Sequence, residues 1–166
     1  MHYPQRREES RYIHIDTSVF DENAEKNKYK IRFNTNGKNS TEDINFHMIP
    51  IQDYNNVIKL ELKFFKFKND LSANYEYIFL KLKNVDGKVD SSTSCQDSTA
   101  VIYFDGKKPT LFEDYEFRFN PPISRLTELS VELRDNDNNL ITPPDDDTTV
   151  DHSFLLKVTY IEGNIY

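Results

Sequence analysis

Alternation of apolar and polar residues recurs along most of this chain, and it limits the possible folds more than any other feature. The longest example is NVIKLELKFFKF, residues 56–67, in which apolar side chains from Ile58 to Phe64 alternate with Lys and Glu. A period of two places the apolar residues on one face of a β-strand. No window of about 11 to 18 residues shows the 3.6-residue apolar period of a helix. The sequence therefore predicts an all-β fold in which Phe64 points into the core.

Eight segments carry a strand signal between turn-forming residues, at 29–33, 44–49, 56–67, 77–83, 100–104, 115–119, 129–134 and 153–161. Many short strands joined by several long loops are typical of a double-sheet jelly roll. We therefore expect a single jelly-roll β-sandwich of about eight antiparallel strands over residues 12–166. Residues 1–11 are polar and charged, and are predicted to form a flexible N-terminal arm. Pro121 and Pro122 are expected to end one strand and to begin a crossover.

Composition and charge argue against several classes of function. The chain has 166 residues, which suits one domain. Its formal net charge of -7 argues against binding nucleic acid or anionic lipid through a basic face. No apolar stretch approaches the ~20 residues of a membrane helix, and the N-terminus lacks the apolar core of a signal peptide. We therefore expect a protein made in the cytoplasm, with no nucleic-acid partner and no membrane span.

Two acidic segments are weak candidates for a metal site. Asp135 and Asp137 lie in DNDNN, which is similar to the start of a calcium-binding D-x-D-x-N loop. The glycine and the glutamate that such a loop needs further on are missing, and Asp and Asn are also typical turn residues, so a turn is the favoured interpretation. The second segment is an acidic loop that contains Asp145, Asp146 and Asp147. A solvent-exposed loop is favoured there over a calcium site.

The sequence contains no recognisable catalytic motif, and we predict neither catalytic residues nor a cofactor. An enzyme on a cupin-like scaffold would need at least two histidines and a carboxylate that converge. His14 and His47 are instead expected on a polar or interface face, and His152 is expected to hold the turn into the last strand. Cys95 is the only cysteine and lies in a polar loop, which favours a passive thiol.

The last third of the chain carries the most specific pattern. The pattern is F-x-P-P-[IL]-x-R-L-x-x-L-x-V-x-L-x-D-x-D, followed by an acidic loop and then D-H-S-F-x-L-x-V. It resembles a pattern in structural proteins of large icosahedral, nucleocytoplasmic DNA viruses of protists and algae. The family usually has a glycine in the turn after the second Asp, where this chain has Asn138-Asn139. Weaker matches occur at Tyr12–Asp16, Tyr29–Phe33 and Val57–Leu62. The matching residues of the last third are Phe119, Pro121, Pro122, Ile123, Arg125, Leu126, Leu129, Val131, Leu133, Asp135, Asp137, Asp151, His152, Ser153, Phe154, Leu156 and Val158.

The resemblance implies a jelly-roll-like minor capsid protein located in the virion. Such a protein would bind and cement the major capsid protein and other minor capsid proteins. A penton protein at the five-fold vertices is the nearest variant, and self-association into a homo-oligomer is left open. From a different class, a calcium- or carbohydrate-binding β-sandwich module remains the alternative.

Several side chains are candidates for a protein interface. Some are apolar residues that point away from their core neighbours, and either a bulge with loops covering the second side or a partner protein would explain them. The resemblance favours a partner. Others lie in or beside the N-terminal arm, which is expected to order across a neighbouring subunit. The candidates are Tyr3, Arg6, Arg7, Tyr12, Phe65, Phe67, Phe79, Leu155 and Ile161.

Overall fold

The computed structural model describes residues 6–22, 24–33, 46–49, 54–83, 85, 89, 91–111, 115–143 and 150–162, and for residues 46–49 the backbone alone. Two β-sheets form a β-sandwich, which confirms the all-β prediction. The strands are β1 (Arg7–Asp16), β2 (Lys28–Phe33), β3 (Phe46–Ile49), β4 (Tyr54–Phe67), β5 (Tyr77–Leu82), β6 (Ala100–Asp105), β7 (Lys108–Leu111), β8 (Tyr115–Leu126), β9 (Glu128–Arg134) and β10 (His152–Glu162).

The four-stranded sheet has the order β1-β10-β4-β8, and the six-stranded sheet has the order β3-β2-β9-β5-β6-β7. Neighbouring strands pair antiparallel, except for β2 and β3, which are parallel. The sheets hold more strands than the eight predicted, since β1 is a full strand and β7 lies between two of the predicted strands. A short 3-10 turn at Thr17–Val19 follows β1.

The core lies between the two sheets and is built from the alternating apolar residues of both. Alternation buries every second side chain of β2 and most of β10, as the period-two pattern predicted. The largest side chains that are almost fully buried are Tyr29, Phe154, Ile31, Leu60, Leu62, Leu71, Ile78, Leu80, Leu82, Ile102, Leu129 and Leu133.

The first strand begins earlier than the sequence pattern predicted. Residues 7–11 belong to β1 and pair with β10, with Arg7 opposite Glu162 and Arg11 opposite Val158. The predicted arm boundary at residue 11 is therefore wrong. The paired segment is polar because it forms the edge of the four-stranded sheet, where backbone pairing rather than side-chain burial holds it. Residues 1–5 of the predicted arm lie outside the described residues.

A β-bulge in β4 overturns the predicted orientation of its phenylalanines. Leu155 of β10 is opposite Phe64, but Leu156 is opposite Leu62, so Lys63 is an extra residue in β4. An extra residue reverses the side-chain alternation beyond it. Phe64 therefore lies on the outer face, whereas Phe65 and Phe67 are buried in the core and are not interface residues.

The proline pair does not end a strand. Strand β8 continues from Tyr115 through Pro121 and Pro122 to Leu126, and the peptide bond Asn120-Pro121 is cis. The strand is at the edge of its sheet, where a missing backbone N–H leaves no ladder bond unmade. The pairing with β4 shifts across the prolines, since Lys59 is opposite Arg118 and Val57 is opposite Ile123. The crossover to the six-stranded sheet occurs instead at Thr127, between β8 and β9.

Phe79 points away from the main core, as predicted, but it is also buried. It forms a second cluster with Cys95 and Val101 on the outer face of the six-stranded sheet. The loop that contains Cys95 covers this cluster and is held down by the bridge between Val89 and Ser98. Cover by a loop therefore explains Phe79, which is not an exposed interface residue.

A buried polar contact between two side chains, Tyr29 and His152, connects the two sheets through the core. The hydroxyl of Tyr29, on β2, lies 2.8 Å from Nε2 of His152, on β10, and Nδ1 of His152 lies 3.0 Å from the carbonyl oxygen of Val150. Because a carbonyl only accepts, Nδ1 carries the proton and Nε2 accepts from the tyrosine. The imidazole is fully buried, and burial lowers the pKa of His152 from 6.5 to about 4. The ring is therefore neutral in the folded protein at pH 7.

The bulge in β4 predicts unequal effects for two adjacent substitutions. Phe65→Ala is expected to lower the free energy of unfolding by about 3–5 kcal/mol, because the ring is buried and stacks on Phe154 and His152. Phe64→Ala is the matched control, expected to cost about 1 kcal/mol or less because its ring is partly exposed. Urea denaturation measures both. Equal losses, or a larger loss for Phe64→Ala, would contradict the bulge.

The buried imidazole predicts acid sensitivity in a defined pH range. The unfolded chain takes up a proton at His152 near pH 6.5, but the folded chain does so only near pH 4, so stability falls as the pH drops through this range. The expected loss from this residue between pH 7 and pH 5 is about 2 kcal/mol. Urea denaturation at both pH values is the measurement, with His152→Phe as the non-titrating comparison. A variant whose stability falls as much as that of the unmodified chain would contradict this assignment.

Candidate functional site

The outer face of the four-stranded sheet carries an exposed row of aromatic side chains. His14 of β1 is opposite Leu155 of β10, which is opposite Phe64 of β4, so the three lie in one line across the sheet. The rings of His14 and Phe64 are 6.1 Å apart between centroids, and Leu155 is half-buried. Tyr12, two residues before His14, is on the same face and is 61% exposed, and Phe64 is 39% exposed. We call these four residues, Tyr12, His14, Phe64 and Leu155, the aromatic strip.

A group of charged side chains lies beside the aromatic strip and centres on Glu61 of β4. Its carboxylate is 2.9 Å from the Nζ of Lys63, 3.1 Å from that of Lys59 and 3.6 Å from that of Lys157. Lys59 also reaches Glu116 of β8, at 3.5 Å. We call Lys59, Glu61, Lys63 and Lys157 the Glu61 cluster. It connects β4 with β10, and the contact of Lys59 with Glu116 extends it to β8.

The ammonium groups keep Glu61 ionised although it is buried. Burial by itself would raise the pKa of this carboxyl, but hydrogen bonds from Lys63 and Lys59 lower it from 4.5 to about 2. A single carboxylate thus holds three lysines in place, with the methylene stems of the lysines covering the sheet. The sequence pattern indicated only that Glu61 alternates with apolar residues. Which lysines meet it depends on the register of β10, which the pattern does not give.

The remaining interface candidates of this face are distributed along β1 and β10. Leu155 is part of the aromatic strip, and Ile161 is partly buried near the end of β10. Arg6 and Arg7 are exposed at the start of β1, where Arg7 pairs with Glu9 at 2.7 Å. Tyr3 lies outside the described residues. The sequence missed His14 and Phe64 as members of one strip, because the bulge brings them together.

The outer face of the six-stranded sheet carries a second charged group, centred on Glu132 of β9. Lys28 of β2 and Lys81 of β5 are its cross-strand neighbours. The carboxylate of Glu132 lies 2.6 Å from Lys83 Nζ, 2.7 Å from Arg134 Nη2 and 3.9 Å from Lys28 Nζ. Burial would raise the pKa of Glu132, but hydrogen bonds from Lys83 and Arg134 lower it below its ordinary value. We call Lys28, Lys81, Lys83, Glu132 and Arg134 the Glu132 cluster.

The Asp and Asn run after β9 forms the tight turn that the sequence predicted. Asp135 Oδ1 accepts hydrogen bonds from the backbone N–H groups of Asp137 and Asn139, at 3.0 and 2.8 Å. Asn138 has a φ of 67°, the left-handed conformation in which Asn can replace glycine. Among the described residues, no three His, Cys, Asp or Glu side chains are placed to hold a metal ion. Asp145, Asp146 and Asp147 lie outside those residues.

The histidines and the cysteine occupy separate places. His14 is exposed on the aromatic strip and His152 is in the core, so these two do not converge. His152 contacts the turn before β10 through Val150, as predicted, but it is also a core residue. The side chain of His47 lies outside the described part of the chain. Cys95 is fully buried, with its sulfur 3.5 Å from Ser98 Oγ.

A scan against protein-family models and a search of curated proteins each found no match to this sequence. In the part of the chain that the structure describes, no helix is long and apolar enough to cross a membrane.

The Glu61 cluster predicts that one neutral substitution will weaken the four-stranded sheet. Glu61→Gln is expected to lower the free energy of unfolding by about 1–3 kcal/mol at pH 7, because three lysines lose the charge that holds them together. Glu116→Gln, at the more exposed edge of the same network, is the control and should cost about 0–1 kcal/mol. Urea denaturation measures both.

The same substitution has a predicted pH dependence. The folded pKa of Glu61 is about 2, below its ordinary 4.5, so its contribution is complete above pH 4.5 and is lost as the pH falls towards 2. The difference between Glu61→Gln and the unmodified chain should therefore shrink on going from pH 7 to pH 3. A difference that stays constant over this range would show that the charge of Glu61 is not what stabilises the sheet.

Proposed function

We propose that this chain is a non-enzymatic capsid component: a jelly-roll minor capsid protein that binds and cements major capsid subunits in the virion of a large icosahedral DNA virus. The strand order supports the jelly-roll assignment. If the eight sandwich strands β1, β2, β4, β5, β6, β8, β9 and β10 are lettered B to I, the sheets read B-I-D-G and C-H-E-F. Two sheets in these orders are what a jelly roll contains.

The aromatic strip is the observation on which the proposed role depends most. Tyr and Phe are enriched in protein interfaces, where their rings contribute large contact areas. Here Tyr12 and Phe64 stay exposed on the outer face of the sheet, on a chain with only a few exposed large hydrophobic side chains among its described residues. The Glu61 cluster lies beside them and supplies a charged border. An aromatic centre with a charged border is the arrangement expected of a docking surface for another protein.

The polar residues of the resemblance support a structural rather than a catalytic role. Asp16 Oδ1 accepts a hydrogen bond from the backbone N–H of Ser18, at 2.9 Å, and caps the 3-10 turn. Asp135 organises the turn after β9, and Asp151 binds Lys26 at 2.8 Å. Each of these carboxylates is therefore occupied in holding the fold together. Binding to a capsid lattice needs no more chemistry than a rigid surface, since repetition across the shell multiplies a weak contact.

Binding to the major capsid protein encoded in the same genome is the direct test. Tyr12→Ala combined with Phe64→Ala is expected to weaken binding by at least about tenfold, or ~1.4 kcal/mol, because both exposed rings are removed. Val19→Ala combined with Tyr103→Ala removes exposed apolar side chains elsewhere and is the matched control. Co-sedimentation with assembled capsid protein measures the affinity. Unchanged binding of the aromatic-strip variant would refute this docking face, and no binding by the unmodified chain would refute the cement role.

The mass of the purified chain separates the two capsid roles. A monomer that becomes ordered on the capsid lattice is expected for a cement protein, and light scattering with and without calcium or EDTA measures it. A stable pentamer would instead favour a penton. A calcium-dependent change in mass or stability would favour the calcium-binding module.

A further inference from the structure

The Glu132 cluster concentrates positive charge on an otherwise acidic protein. Three basic side chains, Lys28, Lys83 and Arg134, lie within 4 Å of one carboxylate, and Lys81 is its cross-strand neighbour, whereas the whole chain has a net charge of -7. Cross-strand pairing places Lys28 and Lys81 on either side of Glu132, so the cluster extends over three neighbouring strands. The side chains of Lys28 and Lys83 remain 52% and 54% exposed. Their ammonium groups are therefore accessible to a ligand from solution.

The buried carboxylate prearranges these cations. Glu132 is 2% exposed, and the Nε and Nη2 atoms of Arg134 both bind its Oε2, at 2.8 and 2.7 Å. Arg134 also donates to the carbonyl oxygen of Asn138, and Lys81 donates to the side-chain oxygen of the same residue, at 3.3 Å. Cations that are already held in place lose less side-chain entropy when they bind an anion. One carboxylate cannot neutralise four cations, so the cluster retains positive charge.

A cavity lies beside the Glu132 cluster, so this surface is concave as well as positively charged. Its volume is about 190 Å³. Three lysines, two carboxylates and a serine line it together with Tyr29 and Val131: Lys28, Lys30, Lys83, Glu25, Glu132 and Ser130. Lysines and a serine hydroxyl are hydrogen-bond donors suited to carboxylate oxygens. A side chain from a partner can therefore enter this cavity while neighbouring residues of the same segment meet the other cations.

We propose that the Glu132 cluster is a docking site for an acidic segment of a partner protein, one that presents several Asp or Glu side chains in sequence. The site is on the sheet opposite the aromatic strip and does not depend on the capsid role. A short acidic segment fits better than a nucleic acid. The carboxylates of Glu25 and Glu132 at the cavity interrupt the basic surface, and a long polyphosphate would also meet the repulsion of an acidic protein. Over the roughly 8 Å Debye length of physiological salt, the local positive charge dominates for a short ligand.

The test uses the full chain and a fluorescein-labelled hexaglutamate peptide, with binding followed by fluorescence anisotropy at physiological salt. Lys28→Ala combined with Lys81→Ala removes two cations but leaves Lys83 and Arg134 on the buried Glu132, so the fold is expected to be retained. This variant should bind hexaglutamate at least about tenfold more weakly, and raising the salt should weaken binding by the unmodified chain. Lys107→Ala combined with Lys108→Ala makes the same charge change at the exposed turn between β6 and β7, and is the control.

The outcomes separate the proposal from its alternatives. Absence of hexaglutamate binding, or equal weakening by the two double variants, would overturn it, since the second result would mean that only net charge matters. Tighter binding of an oligothymidylate of equal charge, with the same dependence on Lys28 and Lys81, would identify nucleic acid as the ligand and overturn the acidic-protein assignment. Thermal unfolding of each variant checks the fold. If Lys28→Ala with Lys81→Ala unfolds, Lys28→Ala alone replaces it, with Lys107→Ala as control.

Discussion

The contact between Tyr29 and His152 connects the two sheets of the sandwich through its core, and much of the surrounding structure depends on it. The polar network continues from His152 to the chain segment after β1. Thr17 Oγ1 donates a hydrogen bond to the carbonyl oxygen of His152, at 3.1 Å, and accepts one from the backbone N–H of His152, at 2.9 Å. Asp151 binds Lys26, which is itself almost buried. Since a buried polar group without a partner is costly, a shift of β10 by one residue would break several of these bonds at once. The network therefore fixes the register of β10 between β1 and β4.

The outer faces of the two sheets share one electrostatic arrangement, but the groups beside it differ. On each face a buried carboxylate in an inner strand, Glu61 or Glu132, pairs with basic side chains from its own strand and from neighbouring segments of the sheet. On the four-stranded sheet this group borders exposed aromatic rings. On the six-stranded sheet it borders a cavity, and positive charge is the main feature. The two faces are therefore chemically distinct, and for this reason we propose a different kind of partner for each.

Period-two alternation was enough to locate most of the strands, but not to decide which side of each strand is buried. The outward position of Phe64 and the inward positions of Phe65 and Phe67 depend on one extra residue, Lys63, and a bulge is set by the partner strand rather than by local sequence. A proline interrupts the hydrogen bonds of a central strand, so the proline pair predicts a strand end. Strand β8 is at the sheet edge, where prolines are tolerated. The candidate clusters were harder still to predict. Lys157 meets Glu61, and Lys28 meets Glu132, only because of strand order.

The residues that carry the resemblance mostly have structural roles in the fold. Its polar residues form turns, caps and the network around His152, and its apolar residues are mostly in the core. A pattern made of such residues reports the constraints of one β-sandwich, so it argues more strongly for the fold than for a partner. The exposed residues proposed to bind, Tyr12 aside, fall at its variable positions or outside it: His14, Phe64, Lys28 and Lys81. Two proteins with the same framework can therefore differ on both faces, and under the two proposals these residues, rather than the motif, set the choice of partner.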